Sequence, residues 1–161
     1  MGTIETAWRD LAAALEAYDQ DKAGGRKPLV NSISESRWEL AELLKIRPCK
    51  AILMSSEQVR DGRMVHNRTG AEVHEVARRK VERLKAGGYG VENDDLFVDV
   101  SICTLAADTE GLIKMALEGV RLVHEDPALA GVHIMGGLSN LPQHLPDKAA
   151  DGSDLKFQLE C

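Results

Sequence analysis

Apolar positions along this chain switch repeatedly between a helical and an extended rhythm. Over residues 3–20, Trp8, Leu11, Leu15 and Tyr18 recur three and four apart and share one helical face. Thr3 reads as the N-cap of that helix, with Thr6 in its first turn. Gly24, Gly25 and Pro28 in "DKAGGRKP" break it. "LVNSIS" then reads as a short buried strand, and "SESRWELAELLKI" as a helix presenting Trp38, Leu40, Leu43 and Leu44. "KAILMSS" is a second strand, followed by "EQVRDGRMVHNR", which reads as a polar loop. Thr69 and Glu72 form a T-x-x-E capping box. The helix it opens carries Val73, Val76, Ala77, Val81 and Leu84 and stops at Gly87-Gly88. "DLFVDVSI" is a third strand. Residues 109–124 form a helix with Leu112, Ile113, Met115, Ala116 and Val120 inward. "GVHIMGG" is a fourth strand, and residues 146–161 form a polar tail or the start of a further helix.

Strands alternating with helices imply an α/β fold with parallel strands joined by right-handed crossovers. All four strands are short apolar runs, as expected when both faces of a sheet are covered. Two architectures fit: an open doubly wound sheet, or part of a (β/α)8 TIM-type barrel. Both place ligands at the C-terminal ends of the strands.

Composition narrows the picture. The chain's 161 residues suit one domain with a real core. A net charge of −6 argues against a general nucleic-acid binder. Cys49, Cys103 and Cys161 form neither a disulfide framework nor a metal knuckle, so reduced thiols and a cytoplasmic location are expected. No apolar run reaches the ~20 residues of a membrane helix. "MGTIETAWRD" lacks a signal pattern, and Ile4-Glu5-Thr6 gives myristoylation at Gly2 little support.

The strand ends carry the candidate chemistry. The first ends in Asn31-Ser32 and the second in Met54-Ser55-Ser56. The third carries Asp99, followed by Ser101, and the fourth ends in Gly136-Gly137-Leu138-Ser139-Asn140. These are amides, hydroxyls and one carboxylate, with no Lys, His or Cys as an obvious nucleophile. Such a set suits a flat heterocycle with several donors and acceptors. Taken singly, a Ser or Asn at a strand end is more often a helix N-cap. Asp99 lies between Val98 and Val100, where a carboxylate needs a partner, from a ligand or from a structural ion pair.

"LVNSIS", "LFVDVSI" and "MGGLSNLP" together resemble three strand motifs of the pterin-binding (dihydropteroate synthase-like) barrel family. The branch they most resemble is that of the methyltetrahydrofolate:corrinoid methyltransferases, which is similar to the folate domain of cobalamin-dependent methionine synthase. The resemblance spans roughly residues 3–145, and its most specific element is G-L-S-N. It implies that Asn31 and Asp99 hydrogen-bond the pterin ring, helped by Ser32, Ser101 and Ser139. It implies a catalytic role for Asn140, close to the methyl-bearing N5. The methyl group would pass from methyltetrahydrofolate to the Co(I) of a corrinoid carried by a partner protein, and this chain would hold no metal. Val100 stands where that branch usually has Pro. The four strands match the fourth to seventh of its eight, so the fold expected is a partial barrel. The chain would then be a piece of a longer enzyme, or two copies would associate as a homodimer completing the barrel, or the sheet would stay open.

Rival readings are a dihydropteroate synthase and a non-catalytic half-barrel or assembly module. The first expects basic residues after the G-x-S element, where Asn140-Leu141-Pro142 stand. "AGGRKP" lacks Walker spacing and reads as a turn. "HEVAR" is not a zinc motif, and His66 and His74 are separated by a loop and a capping box. "ARRKVERLK" reads as the solvated face of a helix. His133 and His144 read as bland surface or core residues.

Overall fold

The four expected strands form one sheet in the computed structural model, which describes residues 4–155. Helix α1 (Ile4–Ala17) leads to β1 (Leu29–Ile33), and a 3-10 segment (Glu35–Lys45) leads on to β2 (Lys50–Met54). A hairpin follows, made of β3 (Glu57–Arg60) and β4 (Arg63–His66). Then come α2 (Gly70–Ala86), β5 (Leu96–Asp99), α3 (Leu112–Glu125) and β6 (His133–Met135). The order across the sheet is β1-β2-β5-β6, and every pair is parallel. Strand order therefore follows chain order without reversal. A doubly wound sheet reverses at its switch point, whereas successive right-handed crossovers without reversal leave every helix on one face.

Period-two alternation decides which strand residues meet the helices. Val30, Ala51, Leu53, Leu96 and Val98 are buried and join a core with Val73, Ala77, Val81 and Leu84 of α2 and with Met115, Ala116 and Val123 of α3. The intervening rows point to the other face. Ile52 pairs with Phe97 and Phe97 with His133, while Met54 pairs with Asp99 and Asp99 with Met135. That face is unevenly covered: Ile52 is 3% exposed, whereas Leu29 is 53% exposed, and Phe97, Asp99 and Met135 are half-buried.

The capping box forms as expected. The Thr69 hydroxyl accepts the Glu72 N–H at 3.2 Å, and the Glu72 carboxylate accepts the Thr69 N–H at 3.1 Å. Thr69→Ala removes one partner from an otherwise unpaired helix-end amide. It should lower stability by about 1 kcal/mol in urea denaturation with the slope unchanged.

Several expectations are corrected. The N-cap expected at Thr3 lies outside the described residues. Leu11 stays 42% exposed on α1 rather than joining the core. Residues 35–45 wind as a 3-10 segment with a non-helical Arg37, not as an α-helix. The Ser34 hydroxyl bonds Ser36 Oγ at 3.0 Å rather than capping the segment, and the Glu35 carboxylate is drawn off to the hairpin and α2. The stretch read as a polar loop is that hairpin. Asp61 (φ 51°) and Gly62 (φ 73°) supply the two left-handed residues of a tight turn, and Val59 and Met64 face each other across it. On α3, Val120 is exposed, and Gly119 and Val123 take the inward positions. In the tail, Lys148 and Asp154 make an isolated antiparallel bridge. The start of a further helix read into residues 146–161 falls in part on residues 156–161, which lie outside the described residues. Among the described residues, no helix is long and apolar enough to cross a membrane.

Candidate functional site

Parallel direction brings all four strand ends to one rim, and the candidate residues follow from it. Leu29 and Asn31 are exposed and alternate with buried Val30, so Asn31 lies on the unevenly covered face. Ser32 is buried where the β1–β2 register shifts. Asp99 ends β5 in the row with Met54 and Met135. It is half-buried rather than enclosed, and its Oδ1 accepts the Ser101 N–H at 2.8 Å. Ser101 holds a left-handed φ of 55°, which turns the chain over the strand end. Asn31 lies beside Ile52, about two residues before the Met54–Asp99 row, so with strands about 4.8 Å apart and a rise of about 3.3 Å per residue the two stand roughly 12 Å from each other across β2.

Asn140 lies in a single 3-10 turn (Leu138–Asn140) just past β6, with Ser139 exposed beside it. The Asn140 Nδ2 donates to the Ile102 carbonyl at 3.1 Å, and its Oδ1 accepts from Gln143 Nε2 at 3.1 Å. The amide thus ties the loop after β5 to the turn after β6. One N–H and one lone pair of that amide stay available. The paired glycines make room for this. A Cβ on Gly136 would stand 2.7 Å from Ile102 Cγ1, and one on Gly137 would stand 2.9 Å from Asn140 Nδ2. Val100 also has a local reason, since its N–H donates to the Met135 carbonyl at 3.1 Å. A proline there would lack that donor.

The β3–β4 hairpin closes the β2 side of the rim and is pinned from beneath. The Val59 N–H donates to Glu35 Oε2 at 2.7 Å, and Arg79 reaches Glu35 Oε1 at 2.6 Å. Burial pushes Glu35 up, but the Val59 N–H and the Arg79 guanidinium together hold its carboxyl below the ordinary value. Inside the hairpin base, Gln58 Nε2 donates to Asn67 Oδ1, and Asn67 Nδ2 donates to the Ser55 carbonyl at 2.8 Å.

Lys80 corrects the reading of "ARRKVERLK" as a wholly solvated face. It is 1% exposed and donates to the Met54 carbonyl at the end of β2. Burial pushes its ammonium down to about 8, against the opposing pull of Glu35 and Glu57. A signal for this existed. Val73, Val76, Ala77, Lys80 and Leu84 are spaced three and four apart, so Lys80 falls on the apolar face of α2.

Between the hairpin, the loop after β5 and the start of α3 lies a cavity of about 340 Å³. Met54, Ile102, Cys103 and Met115 give it an apolar floor, and Ser101 and His66 give it a polar edge. It shares Ser101 with the expected set, while the hairpin residues beside it were missed. His133 opens β6 two residues before the rim, stacked on Phe97 at 4.7 Å and 3.0 Å from Asp94. His74 is remote, bound to Asp126 at 2.7 Å. The rim can offer a planar ligand an exposed amide, a half-exposed carboxylate, hydroxyls and an apolar floor. No family model matches the chain, and no curated protein matches it.

Proposed function

We propose that the chain is half of a pterin-binding (β/α)8 barrel whose rim binds the pterin of methyltetrahydrofolate for methyl transfer to a corrinoid protein. The observation that carries the reading is the arrangement of the three motifs. Parallel strands in unreversed order place Asp99 at the end of β5 and Asn140 just past β6 on one rim, with Asn31 about two residues below that rim on the same face of the sheet.

Each residue has a chemical task in this reading. The Asp99 carboxylate accepts from adjacent N–H groups of the pyrimidine ring, and Asn31 adds an amide from across β2. Ser32, Ser101 and Ser139 supply hydroxyls around the ring. A tertiary amine leaves poorly until its nitrogen gains a proton or a hydrogen bond. The free N–H of Asn140 meets that need as charge develops at N5, at a position already fixed by Ile102 and Gln143. Co(I) on the partner's corrinoid supplies the nucleophile, so this chain needs none. Such an enzyme would work in the cytoplasm with its thiols reduced.

Calorimetric titration of the full chain with methyltetrahydrofolate tests the proposal. Micromolar binding is expected, weakened about tenfold or more by Asn140→Ala and by Asp99→Asn, each of which removes a hydrogen-bonding group from the ring's surroundings. Heat of binding that both variants leave untouched would sink the assignment. A folded chain that binds no folate would leave the non-catalytic half-barrel as the better reading.

A further inference from the structure

The two ends of this half-barrel are each unfinished, and in complementary ways. At one end β1 has no neighbour on its outer side among the described residues, and Leu29 of that strand is 53% exposed. Leu11 of the preceding helix α1, which packs against the 3-10 segment that follows β1, is 42% exposed. At the other end β6 has no outer neighbour among the described residues. Its flanking helix, α3, has a free apolar flank. Glu118 of α3 turns toward α2, where its carboxylate accepts the Gly70 N–H at 3.2 Å. Helical spacing puts Ile113, Leu117 and Val120 on the side away from that contact. Leu117 is 64% exposed and Val120 36%.

We propose that a second copy of this chain docks so that β1 of each copy pairs with β6 of the other, closing an eight-stranded parallel barrel. The argument is one of self-complementarity. The β1 edge needs a parallel strand backed by an apolar helix flank, and the β6 edge needs the same. A single occupant that serves both must carry a β6-like edge and a β1-like edge running in one direction. This chain is such a body. The contact is head to tail, and such contacts form a ring when the rotation closes. Four strands per copy make eight at two copies, the number whose interior side chains just fill. Closure also sets α1 of one copy beside α3 of the other, where Leu11 meets the Leu117 and Val120 flank. It covers the face that carries Leu29, Phe97 and Met135, and it removes both exposed strand edges. This rests on the strand order and on the exposed apolar flanks at the two edges, and it holds whether or not the rim binds a pterin.

Light scattering on the eluting full chain at about 100 μM, where a micromolar interface is filled, gives the first readout. The expected mass is roughly twice 17.6 kDa. Leu29→Lys alters one end and Leu117→Glu the other, both at exposed positions, with circular dichroism checking that each variant folds. Each variant alone places a substitution in both seams and should run as a monomer. An equimolar mixture restores one fully wild-type seam and should return the dimer. A loss of folding would not be repaired by mixing, so the restored dimer is specific to ring closure. A wild-type monomer at this concentration overturns the proposal and makes further chain outside these 161 residues the better occupant. A dimer indifferent to both substitutions, a mixture that stays monomeric, or an open series of larger species overturns it equally.

Discussion

Relative to Lys80→Met, the wild-type protein should gain on the order of 3 kcal/mol of stability as pH rises from about 8 to 10.5. The unfolded chain keeps the Lys80 proton up to its ordinary value of 10.5, while the native state releases it at about 8. Between those values the unfolded state binds the extra proton, so raising the pH drives the equilibrium toward the native state. Below pH 8 both states are charged, and the native state carries the full penalty of an ammonium that is 1% exposed. That penalty is offset in part by the Met54 carbonyl and by the pull of Glu35 and Glu57. Methionine keeps the unbranched stem and its packing but has no proton to lose. Urea denaturation of both proteins at half-unit pH steps reads the difference directly. Parallel curves over this window would show that Lys80 keeps its proton and that the hairpin carboxylates hold it more strongly than burial repels it. The tie also has a local consequence. Lys80 holds the end of β2 in both protonation states, since the neutral amine still donates to the Met54 carbonyl beside Ser55, Asn67 and the hairpin.

The parts of the fold legible in the sequence were those written in local rhythm. The α2 helix carried its own start signal in Thr69 and Glu72, and its glycine stop is where the structure ends it. The four sheet strands stood out because a parallel sheet buries short apolar runs. The hairpin was missed because its outward positions are charged, so composition outweighed alternation. Asp61-Gly62 between "QVR" and "RMV" was the turn signal available. The 3-10 segment was not legible, since its departure from α geometry follows from where Ser34 and Glu35 bond in three dimensions. On α3, Val120 was placed inward by its type. The approach of α2 instead demands a residue without a side chain there, and Gly119 takes the place. The same blindness applied at the rim. The residue types at the strand ends were plain, but nothing local says that Asn140 is already bonded to Ile102 and Gln143. Nor does anything local put Lys80 beneath the end of β2 unless the apolar face of α2 is followed through it.

That helix contact yields the second large effect. Gly70→Ala should lower stability by about 3 kcal/mol, at the upper end of what one extra methyl does in a packed interface. At Gly70 the first turn of α2 lies directly against α3. A Cβ there would stand 2.5 Å from Glu118 Cβ and 2.6 Å from the Gly119 backbone nitrogen. The second of these is main chain inside a helix, so no rotamer change relieves it and one helix must move as a body. The movement is resisted from the other side, because Gly119 already stands where a Cβ would meet Val73 Cγ1 at 3.0 Å. The pair act as matched notches, one on each helix. Separating them also lengthens the Gly70 N–H bond to Glu118. Alanine normally favours a helix over glycine by up to about 1 kcal/mol, so a change in this direction at a free helical position would stabilise. The sign of the measured change therefore decides between propensity and contact. A loss near 3 kcal/mol in denaturant unfolding, with Gly119→Ala giving a smaller loss because only the Val73 side chain must yield, fits the notched contact. A gain at Gly70 would mean that α2 and α3 are held farther apart in solution, and the α3 flank beyond Glu118 would then need to be placed anew.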